Sequence, residues 1–175
     1  MDISQSLTGL SLVALLSACG GGGGSPPTTT PPTTIQATIL ALESSGKLPT
    51  LDRSASIAGP DANNNGVCDD VDAYIAGQGY TAPQLKSVQQ TAKALADILR
   101  VDTSNQNALR ASDLSLQKSL NCVFSKFPDS SQSAAVIKNI EKINANTKAR
   151  VEAYIKYQIA MNGKVLASPQ GDTCE

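Results

Sequence analysis

The chain has 175 residues and 18.1 kDa, a length that fits one domain. A formal net charge of -1 with no run of Lys or Arg argues against a nucleic-acid partner, and 3% aromatic residues with no Trp leave few stacking or hot-spot side chains. The absence of His removes the commonest general base and metal ligand together, and the four Cys, at 19, 68, 122 and 174, match no zinc spacing.

Residues 7–18, LTGLSLVALLSA, form an apolar run of about a dozen residues, short of the roughly 20 that a spanning helix needs. The run ends in Leu16-Ser17-Ala18-Cys19. This stretch resembles the lipobox of bacterial lipoprotein signal peptides, in which the chain is cut before the Cys and the thiolate takes the lipid. The resemblance implies that residues 1–18 are a signal peptide and that Cys19 carries diacylglycerol and an acylated (palmitate-type) amine. MDISQS departs from the pattern in lacking a basic residue before the apolar run. Gly20 to Gly24 and then SPPTTTPPTT have no apolar surface to bury, so residues 19–34 are expected to be a tether. It resembles the tethers of Gram-negative lipoproteins, and with Gly20 rather than Asp after the lipidated Cys it points to an outer-membrane, periplasm- or surface-facing location. Removing residues 1–18 takes away Asp2 and leaves equal numbers of acidic and basic side chains. Anchoring therefore rests on the acyl chains and not on charge.

The folded domain is expected over residues 35–175. IQATILALESSGK predicts a first helix with Ile35, Ile39 and Leu42 on one face, stopping at Gly46. The stretch from Asp61 to Asp72, DANNNGVCDDVD, follows a non-helical segment. Numbered from one, it has oxygen-bearing side chains at one, three and five (Asp61, Asn63, Asn65), Gly66 at six, and a backbone carbonyl at seven (Val67). Asp69 falls at nine and Asp72 at twelve. That is the pattern of a calcium loop, because Ca²⁺ takes six to eight oxygens and the chain must turn sharply at six. The loop resembles dockerin-like and thrombospondin-like calcium loops, EF-hand relatives that close with a shorter Asp and need no entering helix. One isolated site of this type is expected to bind with Kd on the order of 10⁻⁴ to 10⁻³ M. An Asx-rich turn, with Asp69 and Asp70 favouring the N-terminus of the next helix, explains any one of these residues but not their whole register.

DVDAYIAGQG predicts a short helix ending at Gly77 or Gly79. TAPQLKSVQQTAKALADILR predicts the clearest helix, capped by Thr81 with Gln84 completing a capping-box pattern, and with Leu85, Val88, Ala92, Leu95 and Leu99 inward. A fourth helix is expected through Leu109–Val123, with Leu109, Leu116, Leu120 and Val123 inward, ended by Pro128. Asp129 or Ser130 then caps a stripe of Val136, Ile140, Ile143, Thr147, Val151, Tyr154 and Ile159, which runs to Asn162-Gly163. Residues 144–147, NANT, leave open whether that stripe is one helix or two. No stretch alternates as a strand does, so the expected fold is all-α, an up-and-down bundle of five or six short helices with one calcium-type loop.

NGVCDDVDAYI, then NTKARVEAYIKY, Gly163 and a C-terminal Cys, together resemble uncharacterised lipoproteins of Gram-negative bacteria over residues 35–175. That family implies a location and a fold but no reaction. A basic residue often stands there in place of Cys68, which makes Cys68 incidental. With Cys19 lipidated, three Cys remain in an oxidising compartment. Cys122–Cys174 is the favoured bridge because it would pin the tail SPQGDTCE, with Cys68–Cys122 as the rival.

A catalytic Cys lacks a His to activate it. The runs Ser44-Ser45-Gly46-Lys47 and Ser115-Leu116-Gln117-Lys118 match Ser-x-x-Lys at a frequency that chance accounts for, and have no companion motif. Arg150 and Tyr154, four apart, can share a helix face, an arrangement more common at a solvated surface than at a site. The expectation is a non-enzymatic structural or interaction module, lipid-anchored and steadied by Ca²⁺. A binding protein or inhibitor of a periplasmic enzyme or envelope complex is the second reading, and a Ser-Lys hydrolase the third.

Overall fold

In the computed structural model, residues 34–164 and 168–175 are described. The expected signal peptide, Cys19 and the tether up to residue 33 lie outside them. The described chain is all-α: α1 (Ile35–Ser44), α2 (Asp69–Ala76), α3 (Ala82–Arg100), α4 (Gln106–Lys126), α5 (Ser130–Asn144) and α6 (Lys148–Met161), with no strand among the described residues.

The helix ends follow the local chemistry. At the start of α3, Gln84 Oε1 accepts the backbone N–H of Thr81 at 3.1 Å, and Pro83 sits in the first turn. The Asn105 side chain accepts from the N–H groups of Asn107 and Ala108 to begin α4, and Asp129 accepts from Ser131 N to begin α5. Residues 145–147 interrupt the long C-terminal stripe, and Thr147 Oγ1 accepts from Arg150 N to start α6 as a separate helix.

Helix α3 is the centre of the bundle and packs against α2, α4, α5 and α6. Its Val88, Ala92, Leu95 and Leu99 are buried, and Leu85 is half-buried against them. Leu109, Leu116 and Val123 of α4, Val136, Ile140 and Ile143 of α5, Val71 and Ile75 of α2 and Tyr157 of α6 complete the core. Small polar residues let α3 and α4 approach closely. Buried Thr91 donates to Ser87 O and also lies 3.3 Å from Ser119 O, and Ser119 donates to Leu116 O. Each hydroxyl is thus satisfied by a main-chain carbonyl, and no buried donor is wasted. Tyr80 and Phe127 close one end edge to face, centroids 5.6 Å apart.

Two expected faces are corrected. In α1, Ile35 is exposed and Ile39 and Leu42 are only half-buried, while Glu43 is the buried residue, held by Arg53 and by Leu51 N. That helix is fastened by polar contacts to the segment that follows it. In α6, Val151 and Ile159 point outward, and Arg150 and Tyr157 point inward. The break at 145–147 resets the helical phase, so a stripe continued across it from α5 falls on the wrong face.

Cys122 and Cys174 are joined by a disulfide with Cα atoms 4.9 Å apart, and Cys68 is free and buried. The tail also hydrogen-bonds to two helices. Thr173 Oγ1 donates to Lys118 O, Gln90 Nε2 donates to Thr173 O and Asn121 Nδ2 donates to Gly171 O.

Candidate metal loop and its anchor

The loop is organised by its own side chains. Asp61 Oδ1 accepts the N–H of Asn65 at 3.1 Å and Oδ2 accepts that of Gly66 at 2.9 Å. Asn63 Oδ1 accepts Asn65 N at 3.0 Å, and Asn65 Oδ1 accepts Val67 N at 2.8 Å, so three side chains curl one after another around the turn. Asp69 Oδ1, at the start of α2, reaches back to Ala62 N at 3.0 Å. Two residues take positive φ: Gly66 at 86°, as its place in the pattern requires, and Asn64 at 57°. The calcium-loop pattern does not mark out Asn64, at position four, although Asn is the non-glycine residue best suited to that conformation.

Asp72 closes the loop. Its Oδ2 accepts from the amides of Asn63 at 3.1 Å and Asn65 at 2.7 Å. Its Oδ1 is buried and has no hydrogen-bond partner, the one such side-chain oxygen or nitrogen among the described residues. The structure therefore joins Asp61, Asn63, Asn65 and Asp72 in one network, with Asp69 tied to the same turn through Ala62 N. Val67 joins it through its N–H, its side chain is 2% exposed in the core, and none of the loop's described hydrogen bonds uses its carbonyl.

Among the described residues, no three of His, Cys, Asp and Glu gather as a metal cluster on their own. Any cation here would depend on amide and carbonyl oxygens as well as carboxylates, a donor set suited to a hard ion. The residues fit such an ion in number and type. Each oxygen that accepts one N–H keeps a second lone pair, and Asp72 Oδ1 is uncommitted. Two neighbours oppose a cation: Arg100 Nη2 donates to Gly66 O, and the Lys93 side chain covers Gly66. Asp97, bonded to Lys93 at 2.7 Å and Arg100 at 2.8 Å, offsets part of that charge.

A second network, not foreseen from the sequence, ties the loop to the far end of the chain. Arg150 is 1% exposed and its guanidinium binds Asp52 Oδ2 at 2.8 Å, Asn146 Oδ1 at 2.7 Å and the carbonyls of Ser56 and Ile57. It also contacts Cys68 Sγ at 3.8 Å. Asp52 N in turn donates to Asp70 Oδ2 at 2.6 Å, and Asp69 N donates to Pro60 O at 2.8 Å. Residues 52–60 thus form a strap between α6 and the start of α2. Asp70 is not a spare charge at a helix N-terminus; it holds the strap. Burial works to raise the Asp52 carboxyl, but bonds from Ser54 and the Arg150 guanidinium outweigh it and hold it below the usual carboxylate range. Burial, reinforced by Asp70, pushes the Cys68 thiol up to about 11, which makes it a poor nucleophile. An arginine in helical phase with Tyr157, on an otherwise apolar face, was the available signal for this anchor.

Of the Ser-x-x-Lys pairs, Ser115 is exposed on α4, and Ser44 donates to Ala41 O within its own helix end. The chain matches no known protein family, and no curated protein or solved structure is similar to it.

Proposed function

We propose that this chain is an outer-membrane lipoprotein whose helical domain is steadied by Ca²⁺, or an equivalent hard cation, held at Asp61–Asp72, and which acts as a structural or interaction module facing the periplasm or the cell surface. The observation that carries the cation reading is the buried, unpartnered Asp72 Oδ1 at the closing position of a loop whose other oxygens are already arrayed around one turn. A buried anionic oxygen left without a partner costs free energy that an ion would recover. Asp61, Asn63, Asn65, the Val67 carbonyl, Asp69 and Asp72 would hold it, which matches the six to eight oxygens Ca²⁺ takes. The ion would add cross-links between the loop and α2, and so stability.

The lipoprotein reading rests on Leu16-Ser17-Ala18-Cys19 and the Gly/Pro/Thr segment behind it. Mass spectrometry of the mature chain should find Cys19 as the acylated first residue; an unmodified start elsewhere defeats that part. For the cation, thermal melting in about 100 mM calcium, roughly a hundredfold above the weaker end of the expected Kd, and in chelator should differ for the native chain. The difference should vanish for Asp72→Ala. Identical curves for the native chain in both conditions reject the cation and leave a self-satisfied polar turn.

The second reading, a binding protein for an envelope partner, is favoured by one feature. Val151, Ile155 and Ile159 stand exposed one helical turn apart along α6.

A further inference from the structure

Helices α4 and α6 both pack on α3, and between them lies a cleft of about 510 Å³. Asp113, Gln117 and Leu116 of α4 line one side, and Tyr154, Tyr157 and Met161 of α6 line the other. Asp113 occupies a core position in the α4 stripe, four residues after Leu109 and three before Leu116, and is 4% exposed. Its Oδ1 accepts the Tyr157 hydroxyl at 2.7 Å. No described ion pair includes Asp113. Arg110, one turn away on the same helix, is exposed. A carboxylate that is nearly buried, held by one neutral hydroxyl and unaccompanied by a cation, is costly as it stands.

We propose that this cleft binds an alkylammonium group, with Asp113 as its counter-ion and the Tyr154 ring as its aromatic wall. The chemistry of the walls selects the ligand class. A hard metal ion wants oxygens on all sides, whereas Leu116, Met161 and two phenol rings suit an alkyl chain ending in a cation. The electrostatic surroundings have the same sign. Tyr154 donates its hydroxyl to Glu141 of α5, so both tyrosines of the cleft are bonded to carboxylates. Burial first, and then those carboxylates, push both phenols upward, Tyr154 to about 12. Pocket burial of Asp113 and its tyrosine hydrogen bond would fix its orientation before a ligand arrives, which lowers the ordering cost of binding.

The test is isothermal titration of the purified full-length chain, in low salt with chelator present so that the Asp61–Asp72 loop does not contribute. The two probes are 1,4-diaminobutane and N-acetyl-lysine methylamide. Saturable binding is expected for at least one probe, and butan-1-ol, which lacks the charge, should give none. Binding of the diamine alone identifies free amines as the ligand, and binding of the lysine derivative identifies a lysine side chain. Asp113→Asn keeps the shape and the acceptor for Tyr157 but loses the charge. It should weaken binding by roughly thirtyfold or more, the loss typical of neutralising one partner of a buried charge pair. Tyr154→Leu, a change at the wall, should weaken it by about fivefold. No saturation by either probe overturns the proposal. So does an affinity unchanged by both substitutions, or an equal response to butan-1-ol.

Discussion

Gly59 lies directly against Arg150: a Cβ at residue 59 would overlap the buried Nη2 of Arg150 and also Cys68 Sγ. The backbone there also sits at φ +68°. Two costs therefore fall on Gly59→Ala: a left-handed conformation, at about 1–2 kcal/mol, and displacement of a packed guanidinium, at about 1–3 kcal/mol as for other overpacked cores. Gly46 separates the two. Its φ is +72°, and no atom lies within 4 Å of the place its Cβ would take. Gly46→Ala should show the conformational cost alone. Urea melts of the two variants should differ by more than about 1 kcal/mol, with Gly59→Ala the less stable. Equal losses would mean that the strap yields freely around Arg150.

The Asp52 carboxylate, bonded by Ser54 and by the buried Arg150, should make stability depend on acid pH; the side chains of Asp52 and Arg150 are 16% and 2% exposed. The Asp52 carboxyl is held below its ordinary value in the folded chain. Its contribution is therefore complete above the unfolded carboxylate value near 4 and is lost as pH falls through the lower folded value. Asp52→Asn should flatten that acid limb, and Asp52→Ala should cost about 3 kcal/mol at neutral pH by leaving Arg150 buried without its anion. Denaturant melts at a series of pH values from neutral downward check both, and an acid limb unchanged in Asp52→Asn counts against Asp52 as its source.

Much of the architecture was legible because periodicity and end signals agreed. Val88, Ala92, Leu95 and Leu99 fall where three- and four-residue steps place them, and Asp129 caps α5 as its chemistry suggests. The bridge from Cys122 to Cys174 followed from a tail that needed fastening. What escaped has physical causes. Residues 145–147 shift the phase by an amount that apolar spacing cannot report, so spacing alone places Val151 and Ile159 inward whereas Arg150 and Tyr157 hold that face. The spacing of Ile35, Ile39 and Leu42 points Ile35 inward, but α1 is fastened by Glu43 to Arg53, a contact across a loop that periodicity does not see. Asp113 and Arg150 are charged residues at core positions, and their partners Tyr157 and Asp52 lie 44 and 98 residues away. Of the loop, the sharp turn at Gly66 was visible in the sequence; the strap that holds the loop was not.

The disulfide should carry a measurable part of the stability. Cys122 and Cys174 are 52 residues apart, and closing a loop of that size is worth about 4 kcal/mol in the chain-entropy model. Cys174→Ser should lower stability by up to that amount and loosen the contacts of Thr173 with Lys118 and Gln90. Non-reducing peptide mapping should return one linked pair and leave Cys68 to alkylate only after denaturation, since it is 5% exposed and its thiol is pushed up to about 11. Rapid labelling of Cys68 in the native chain would contradict its burial.

Asp61 and Asp70 give the sharpest separation between a cation loop and a polar turn, because both brace the native structure through different partners. Asp61 accepts from Asn65 N and Gly66 N, at the first position of the twelve-residue loop. Asp70 accepts from Asp52 N and from Val71 N, on the strap side of α2. Either change to Ala should lower the melting temperature in chelator, since each removes two hydrogen bonds to backbone donors, at about 1–2 kcal/mol apiece. The response to calcium should divide them. At a calcium concentration about a hundredfold above Kd, the native chain should gain about 2.7 kcal/mol, or very roughly ten degrees in melting temperature. Asp70→Ala should start lower and keep that gain, because its carboxylate faces the strap. Asp61→Ala should start lower and gain nothing. Mg²⁺ should raise the native chain less than Ca²⁺, since it demands tight octahedral geometry and gives up its water reluctantly. If both variants lose stability and neither they nor the native chain responds to calcium, the carboxylates serve the turn and the strap alone. If Asp61→Ala keeps the gain, the ion sits elsewhere.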